Sequence, residues 1–145
     1  MKISSKTIYG LQFLIRLTID GSDKWLQLNE IVDKENVSEK YLESIVSRLK
    51  NNGLLQVKRG AHGGYKLALP PNQITLKQIM NIIEGTDLAQ DLENVPADMN
   101  TTVRQVAVAS IKKMNTRFND LLNAVTLEDM ANQTRQQLNS FTFMI

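Results

Sequence analysis

The residues best suited to chemistry cluster in two places. Arg59-Gly60-Ala61-His62-Gly63-Gly64-Tyr65 brings a guanidinium, an imidazole and three glycines together within seven positions. Glycine admits positive φ and lets a backbone approach another surface closely, so this segment suits contact more than core packing. Ser38 to Lys50 sets Ser38, Glu39, Lys40, Glu43, Ser44, Ser47, Arg48 and Lys50 against Tyr41, Leu42, Ile45, Val46 and Leu49, at helical spacing. Such a helix buries one side and holds out a polar face. Catalysis has little to work with. The 145 residues include no cysteine, which removes disulfides, zinc fingers, thiolate-held iron–sulfur clusters and cysteine nucleophiles. His62 is the only histidine, which argues against a Ser-His-Asp triad or a multi-histidine metal site. No catalytic residue, metal site or cofactor is expected, and an enzyme is not the reading.

Several elements must position those two segments. Ser5 to Ile19 places Ile8, Leu11, Ile15 and Thr18 or Ile19 on one helical face, with Leu14 beside them. Asp20-Gly21-Ser22-Asp23 breaks it. Leu28, Ile31 and Val32 form a short second helix starting at Asn29 or just before, and Trp25 is expected to pack the intervening loop against the core. Ser38 is the N-cap of the third helix and Gly53 its stop. The period then changes: Leu54–Lys58 and Tyr65–Leu69 read as paired strands around the glycine-rich tip, closed by Pro70-Pro71. Thr75 caps a helix to about Glu84, with Leu76, Ile79, Met80 and Ile83 facing inward.

The second half is organised differently. Asp87 to Asn100 is an acidic connector without a basic residue. Ala107, Ile111, Met114, Phe118, Leu121 and Val125 then repeat in alternating steps of four and three, a heptad-like seam on a long helix that must bury that face, expected at a dimer interface. Thr126 caps a short closing helix with Leu127, Met130 and Ala131, and an apolar tail, Phe141 to Ile145, follows. The division is residues 1–86, a domain of short helices and the hairpin; 87–100, connector; 101–136, dimerisation helix and closing helix; 137–145, tail. Residues 1–70 carry a formal +4 and residues 71–145 a formal −2, which puts any anion-binding face on the first half. No run of 18 apolar residues and no signal-peptide stretch occurs, so the expectation is a cytoplasmic protein without a membrane partner.

Helix, helix, outward-facing third helix and two-stranded hairpin is the order of a winged helix-turn-helix. The expected fold is mainly α with a small β-hairpin, plus a long C-terminal dimerisation helix. The third helix enters the major groove of double-stranded DNA, and the small-residue tip reaches the neighbouring backbone or minor groove.

Four segments strengthen this: Ile3-Ser4-Ser5-Lys6-Thr7-Ile8-Tyr9-Gly10, Val37-Ser38-Glu39-Lys40-Tyr41-Leu42-Glu43, Arg48-Leu49-Lys50-Asn51-Asn52-Gly53-Leu54 and Arg59-Gly60-Ala61-His62-Gly63-Gly64-Tyr65. Together they resemble the Rrf-two family of bacterial regulators, which includes iron–sulfur cluster regulators, nitric-oxide-sensing repressors and cysteine-metabolism repressors. Thr126-Leu127-Glu128-Asp129-Met130 resembles the family's closing helix. The resemblance implies a homodimeric transcription factor, with Ser38, Glu39, Tyr41 and Glu43 starting the recognition helix and Arg59 to Tyr65 forming the wing. By that resemblance Glu43 accepts from a cytosine amino group, Arg59 enters the minor groove, and Ser38 and Tyr41 bond phosphates. Lys6, Arg48 and Lys50 add charge, and Gly60, His62, Gly63 and Gly64 complete the contact set. Ile8 stands where relatives often carry a basic residue.

Many relatives hold a two-iron two-sulfur cluster on three cysteines in the connector, and here Leu88 to Thr101 contains none. The similarity is therefore to cluster-free cysteine-metabolism repressors, which implies O-acetylserine sulfhydrylase as a partner. Phe141, Phe143, Met144 and Ile145 resemble termini that dock into that enzyme. Two alternatives stay open: an interaction module that controls such an enzyme through this tail, and a regulator that senses a small molecule between the wing domain and the long helix.

Overall fold

The computed structural model describes residues 3–21, 23–87 and 101–143. Helix α1 (Ser5–Asp20) packs against α2 (Leu28–Glu35), α3 (Glu39–Asn51), α4 (Leu76–Glu84) and α6 (Leu127–Phe143). Between α3 and α4, β1 (Leu55–Lys58) and β2 (Gly64–Leu67) pair antiparallel, with Leu55 opposite Leu67 and Lys58 opposite Gly64. A 3-10 turn, Pro71–Gln73, leads into α4, and α5 (Thr102–Ala124) precedes α6. The strands are shorter than expected: Leu54, Ala68 and Leu69 fall outside the ladder while Gly64 joins it, although Ala68 N still donates to Leu54 O at 2.9 Å.

The buried face of α1 differs from the predicted one. Thr7, Gly10, Phe13, Leu14, Leu17 and Thr18 are buried, whereas Ile8 is 53% exposed and Leu11 and Ile15 only flank the core. Gly10 decides the orientation. A Cβ there would lie 2.2 Å from Ile83 Cδ1, so α1 can approach α4 only along this bare strip. That approach buries Phe13 and Leu14 completely, each stabilising the fold by about 1.5–3 kcal/mol relative to exposure.

Local signals account for most helix ends. Gln78 N donates to Thr75 Oγ1 at 3.2 Å while Thr75 N donates to Gln78 Oε1 at 3.0 Å, a reciprocal capping box at the predicted start of α4. Helix α2 starts after Gln27, whose N–H donates to Glu30 Oε2 at 2.8 Å. Gly53 follows α3 with φ +80°.

The closing helix is longer than expected. Thr126 and Asp129 cap it reciprocally, Thr126 N donating to Asp129 Oδ2 at 2.9 Å and Asp129 N to Thr126 Oγ1 at 3.2 Å. These bonds hold the Asp129 carboxyl below its ordinary range. With neither glycine nor proline after this cap, the helix runs 17 residues and takes in 137–143 of the predicted tail. Met144 and Ile145 lie outside the described residues, as do residues 88–100 of the connector.

Helix α5 carries two adjacent stripes rather than one seam. Val108, Asn115 and Leu122 are buried, and Phe118 packs with Leu122 against Met80 of α4. Ala107, Ile111, Met114 and Leu121 face outward, with Leu121 67% exposed. Val125 ends the helix, its carbonyl accepting from Leu76 N at 2.8 Å. Spacing of three and four fits both stripes, so the predicted seam mixed residues from each.

Candidate nucleic-acid interface

Helix α3 buries Leu42, Ile45, Val46 and Leu49, which leaves Glu39, Lys40, Glu43, Ser44, Ser47, Arg48 and Lys50 exposed as predicted. Ser38 is the N-cap residue, its carbonyl accepting from Leu42 N at 3.0 Å, but its hydroxyl makes no capping bond. The hydroxyl is thereby left for an outside partner. Glu39 in the first turn and Arg48 and Lys50 in the last complement the helix dipole. Tyr41 is half-buried, its ring edge-on to Tyr9 with centroids 5.3 Å apart. Arg48 uses Nη1 to donate to Ile83 O at 3.1 Å, tying the end of α3 to α4 and keeping its remaining donors outside that bond.

The wing separates into a tip and a base. Arg59, Gly60, Ala61 and His62 are exposed, while Gly63 is buried and Gly64 and Tyr65 are half-buried. Gly64 has φ +143°, and a Cβ there would sit 2.3 Å from Leu26 O. At Gly63 a Cβ would sit 2.0 Å from Lys58 O. Both glycines let chain segments meet, a packing demand that stands beside the contact role expected of them. Tyr65 is packed as well: its ring is edge-on to Phe13, centroids 5.9 Å apart, and its backbone pairs with Leu26 in both directions, at 2.7 and 3.2 Å. Trp25, expected against the core, is half-exposed beneath Lys66, whose Nζ lies 5.1 Å from the ring centroid. Lys58 and Arg59 stand exposed at the tip with no acid between Gln56 and Lys66, so the tip is a cationic surface on a short, backbone-anchored hairpin.

Two positioning groups escaped the sequence reading. Gln27 Nε2 donates to Ala61 O at 3.0 Å and so ties the start of α2 to the wing tip. At the start of α1, Glu84 Oε1 accepts from Ser4 N, Ser4 Oγ and Thr7 Oγ1, at 3.0, 2.8 and 2.5 Å. The Thr7 hydroxyl, then Ser4 and more weakly the Lys6 charge, holds the Glu84 carboxyl below its usual range against the opposing effect of burial. The one available signal was the pair of hydroxyls around the α1 cap, which without the fold has no visible partner. Lys6 itself is exposed on this first turn.

Among the described residues no group of three His, Cys, Asp or Glu could hold a metal ion, and no helix is long and apolar enough to cross a membrane.

A helix-turn-helix whose third helix presents polar side chains, followed by a cationic wing, defines a winged-helix DNA-binding regulator. The model of the Rrf2 (Rrf-two) family, described as an iron-dependent transcriptional regulator, matches residues 3–133, and the chain belongs to that family. It is a DNA-binding transcriptional regulator. It is 33% identical over 149 aligned residues to the HTH-type transcriptional regulator CymR of Bacillus subtilis, covering 100% of both chains. The solved structure of CymR, the global cysteine regulator of B. subtilis, superposes with a TM-score of 0.75 at 32% identity, over 92% of this chain and 98% of that one. T. potens IscR superposes with a TM-score of 0.70 at 29% identity, over 92% and 88%. The family description names iron, but a chain with no cysteine and one histidine does not fit a thiolate-held cluster.

Proposed function

We propose that the protein is a homodimeric repressor that binds a palindromic operator and controls genes of cysteine and sulfur metabolism, without a resident iron–sulfur cluster. One arrangement carries the reading: the exposed polar face of α3 lies on a helix packed against β1, and β1 leads directly into the acid-free wing tip. Ser38, Glu39 and Glu43 address base edges and nearby phosphates from the first half of α3. Tyr41, Lys6, Arg48 and Lys50 add phosphate contacts, and Arg59, Gly60 and His62 meet the minor groove or its backbone. The outward stripe of Ala107, Ile111, Met114 and Leu121 is the contact between two copies, placing recognition helices about one duplex turn (~34 Å) apart. The full-length similarity to CymR supports the sulfur assignment.

The test is fluorescence anisotropy on operator DNA selected in vitro, across a salt series. Binding should weaken with a log–log slope of roughly −0.9 per neutralised phosphate. Arg59→Ala should lose about 1–3 kcal/mol at fixed salt. Unchanged affinity in that variant counts against groove contact by the wing.

A second reading, docking of the C-terminal segment into O-acetylserine sulfhydrylase, is favoured by Leu138 and Phe141, 46% and 71% exposed at the end of α6. Pull-down of that enzyme by the full chain, and its loss on truncation after Gln136, tests it.

A further inference from the structure

A cleft of about 290 Å³ opens where α1 ends, between β2, the 3-10 turn and α6. Leu17, Leu67 and Pro71 give it apolar walls, and Lys66, Glu128 and Arg135 bring charge to its lining. Arg135 is fixed in place by neutral acceptors: Nη1 donates to Asn132 Oδ1 at 2.8 Å and Nη2 to Thr18 O at 3.3 Å. The ammonium of Lys66 rests on Trp25. Among the described residues the ion pairs are made by Arg16, Asp20, Lys34 and Glu35, so none of the three charges on the cleft is compensated by an ion pair. A half-buried guanidinium held by carbonyl and amide oxygens keeps its full charge, and a carboxylate entering beside it gains a charge-assisted contact without displacing a partner.

The size and the charges select the ligand. The volume, just under the usual range for small-molecule sites, suits a metabolite of a few heavy atoms. Two cations match one carboxylate, and the single acid matches one ammonium. We propose that this cleft binds a small α-amino acid as its zwitterion, its carboxylate toward Lys66 and Arg135, its ammonium toward Glu128 and its side chain against the apolar wall. Its role as an effector rests on the regulator reading; the site itself does not. Because β2 belongs to the wing and α6 to the C-terminal half, a molecule in the cleft touches both and biases the wing that α3 works beside.

Isothermal titration of the full chain with glycine, L-alanine, L-serine and L-cysteine tests the proposal, with propionate as the probe that lacks an ammonium. The expected result is saturable binding of at least one amino acid, one per chain, with propionate weaker by about tenfold or more. Lys66→Gln and Arg135→Gln should each weaken amino-acid binding by about tenfold, and Glu128→Gln should narrow the gap to propionate. Trp25 fluorescence gives a second readout, and Lys66→Gln touches no contact of α6, so loss of folding in Arg135→Gln leaves the test intact. No saturable binding of any of the four, equal binding of propionate, or unchanged affinity in Lys66→Gln overturns it. Anisotropy on operator DNA runs in parallel: DNA binding without amino-acid binding overturns this inference alone, and the reverse overturns the regulator reading while supporting the site.

Discussion

Gly64→Ala isolates the contact that fixes the wing. With φ at +143° and its absent Cβ only 2.3 Å from Leu26 O, 2.5 Å from Leu26 C and 3.0 Å from Gln27 N, an alanine meets backbone on the far side. The obstruction is main chain, so no rotamer change relieves it, and Leu26 must retreat by several tenths of an ångström. That retreat breaks the two bonds pairing Leu26 with Tyr65, at 2.7 and 3.2 Å. Two lost hydrogen bonds and the strain of a positive φ together cost about 3–4 kcal/mol. A domain of this kind has about 5–15 kcal/mol in all, so the variant folds with little margin. Gly60→Ala is the control: its φ is +106° but nothing lies within 4 Å of the new Cβ, which leaves conformational strain of about 1–2 kcal/mol. Urea unfolding of both variants gives the two costs, and Trp25, the sole tryptophan and the neighbour of Leu26, should red-shift in Gly64→Ala alone. Equal losses in the two variants, or a loss under about 1 kcal/mol at Gly64, would refute the backbone-collision argument.

Gln27→Ala removes the bond to Ala61 O, and hydrogen exchange at the wing tip should accelerate while global stability falls by no more than about 1 kcal/mol. Glu84 contributes stability through a depressed carboxyl pKa, so that contribution is present at neutral pH and is lost as pH falls through the folded-state value. In Glu84→Gln the stability deficit should therefore be largest near neutrality and shrink in acid, as read from thermal melts across pH. Leu121→Glu, on the outward stripe proposed as the contact between copies, should abolish self-association in sedimentation velocity, and a wild-type chain that sediments as a monomer refutes that contact.

The parts legible in the sequence are those written by local chemistry. The Thr75 cap, the Gly53 stop and the polar side of α3 depend on neighbours within one or two turns, and each stands where expected. What sequence spacing misplaced depends on partners far along the chain. Helix α1 is apolar almost all round, with Ile8, Leu11 and Ile15 competing against Phe13, Leu14 and Leu17, and only the fit of Gly10 against Ile83 chooses between them. In the glycine-rich segment, composition could not separate Gly60, which meets nothing within 4 Å, from Gly64, which meets Leu26. The two stripes of α5 share one periodicity and differ only in what lies opposite. The packing of Tyr65 on Phe13 is invisible to local pattern because the two lie 52 residues apart in the sequence.

Main-chain bonds join Ile74 O to Leu127 N and Leu76 N to Val125 O, each at 2.8 Å, and Leu127 and Ala131 are completely buried. The core begun by α1 is therefore finished by a helix made more than a hundred residues later. The C-terminal helix is thus a structural part of the head: removing α6 takes Leu127 and Ala131 out of its apolar floor as well as removing an appendage.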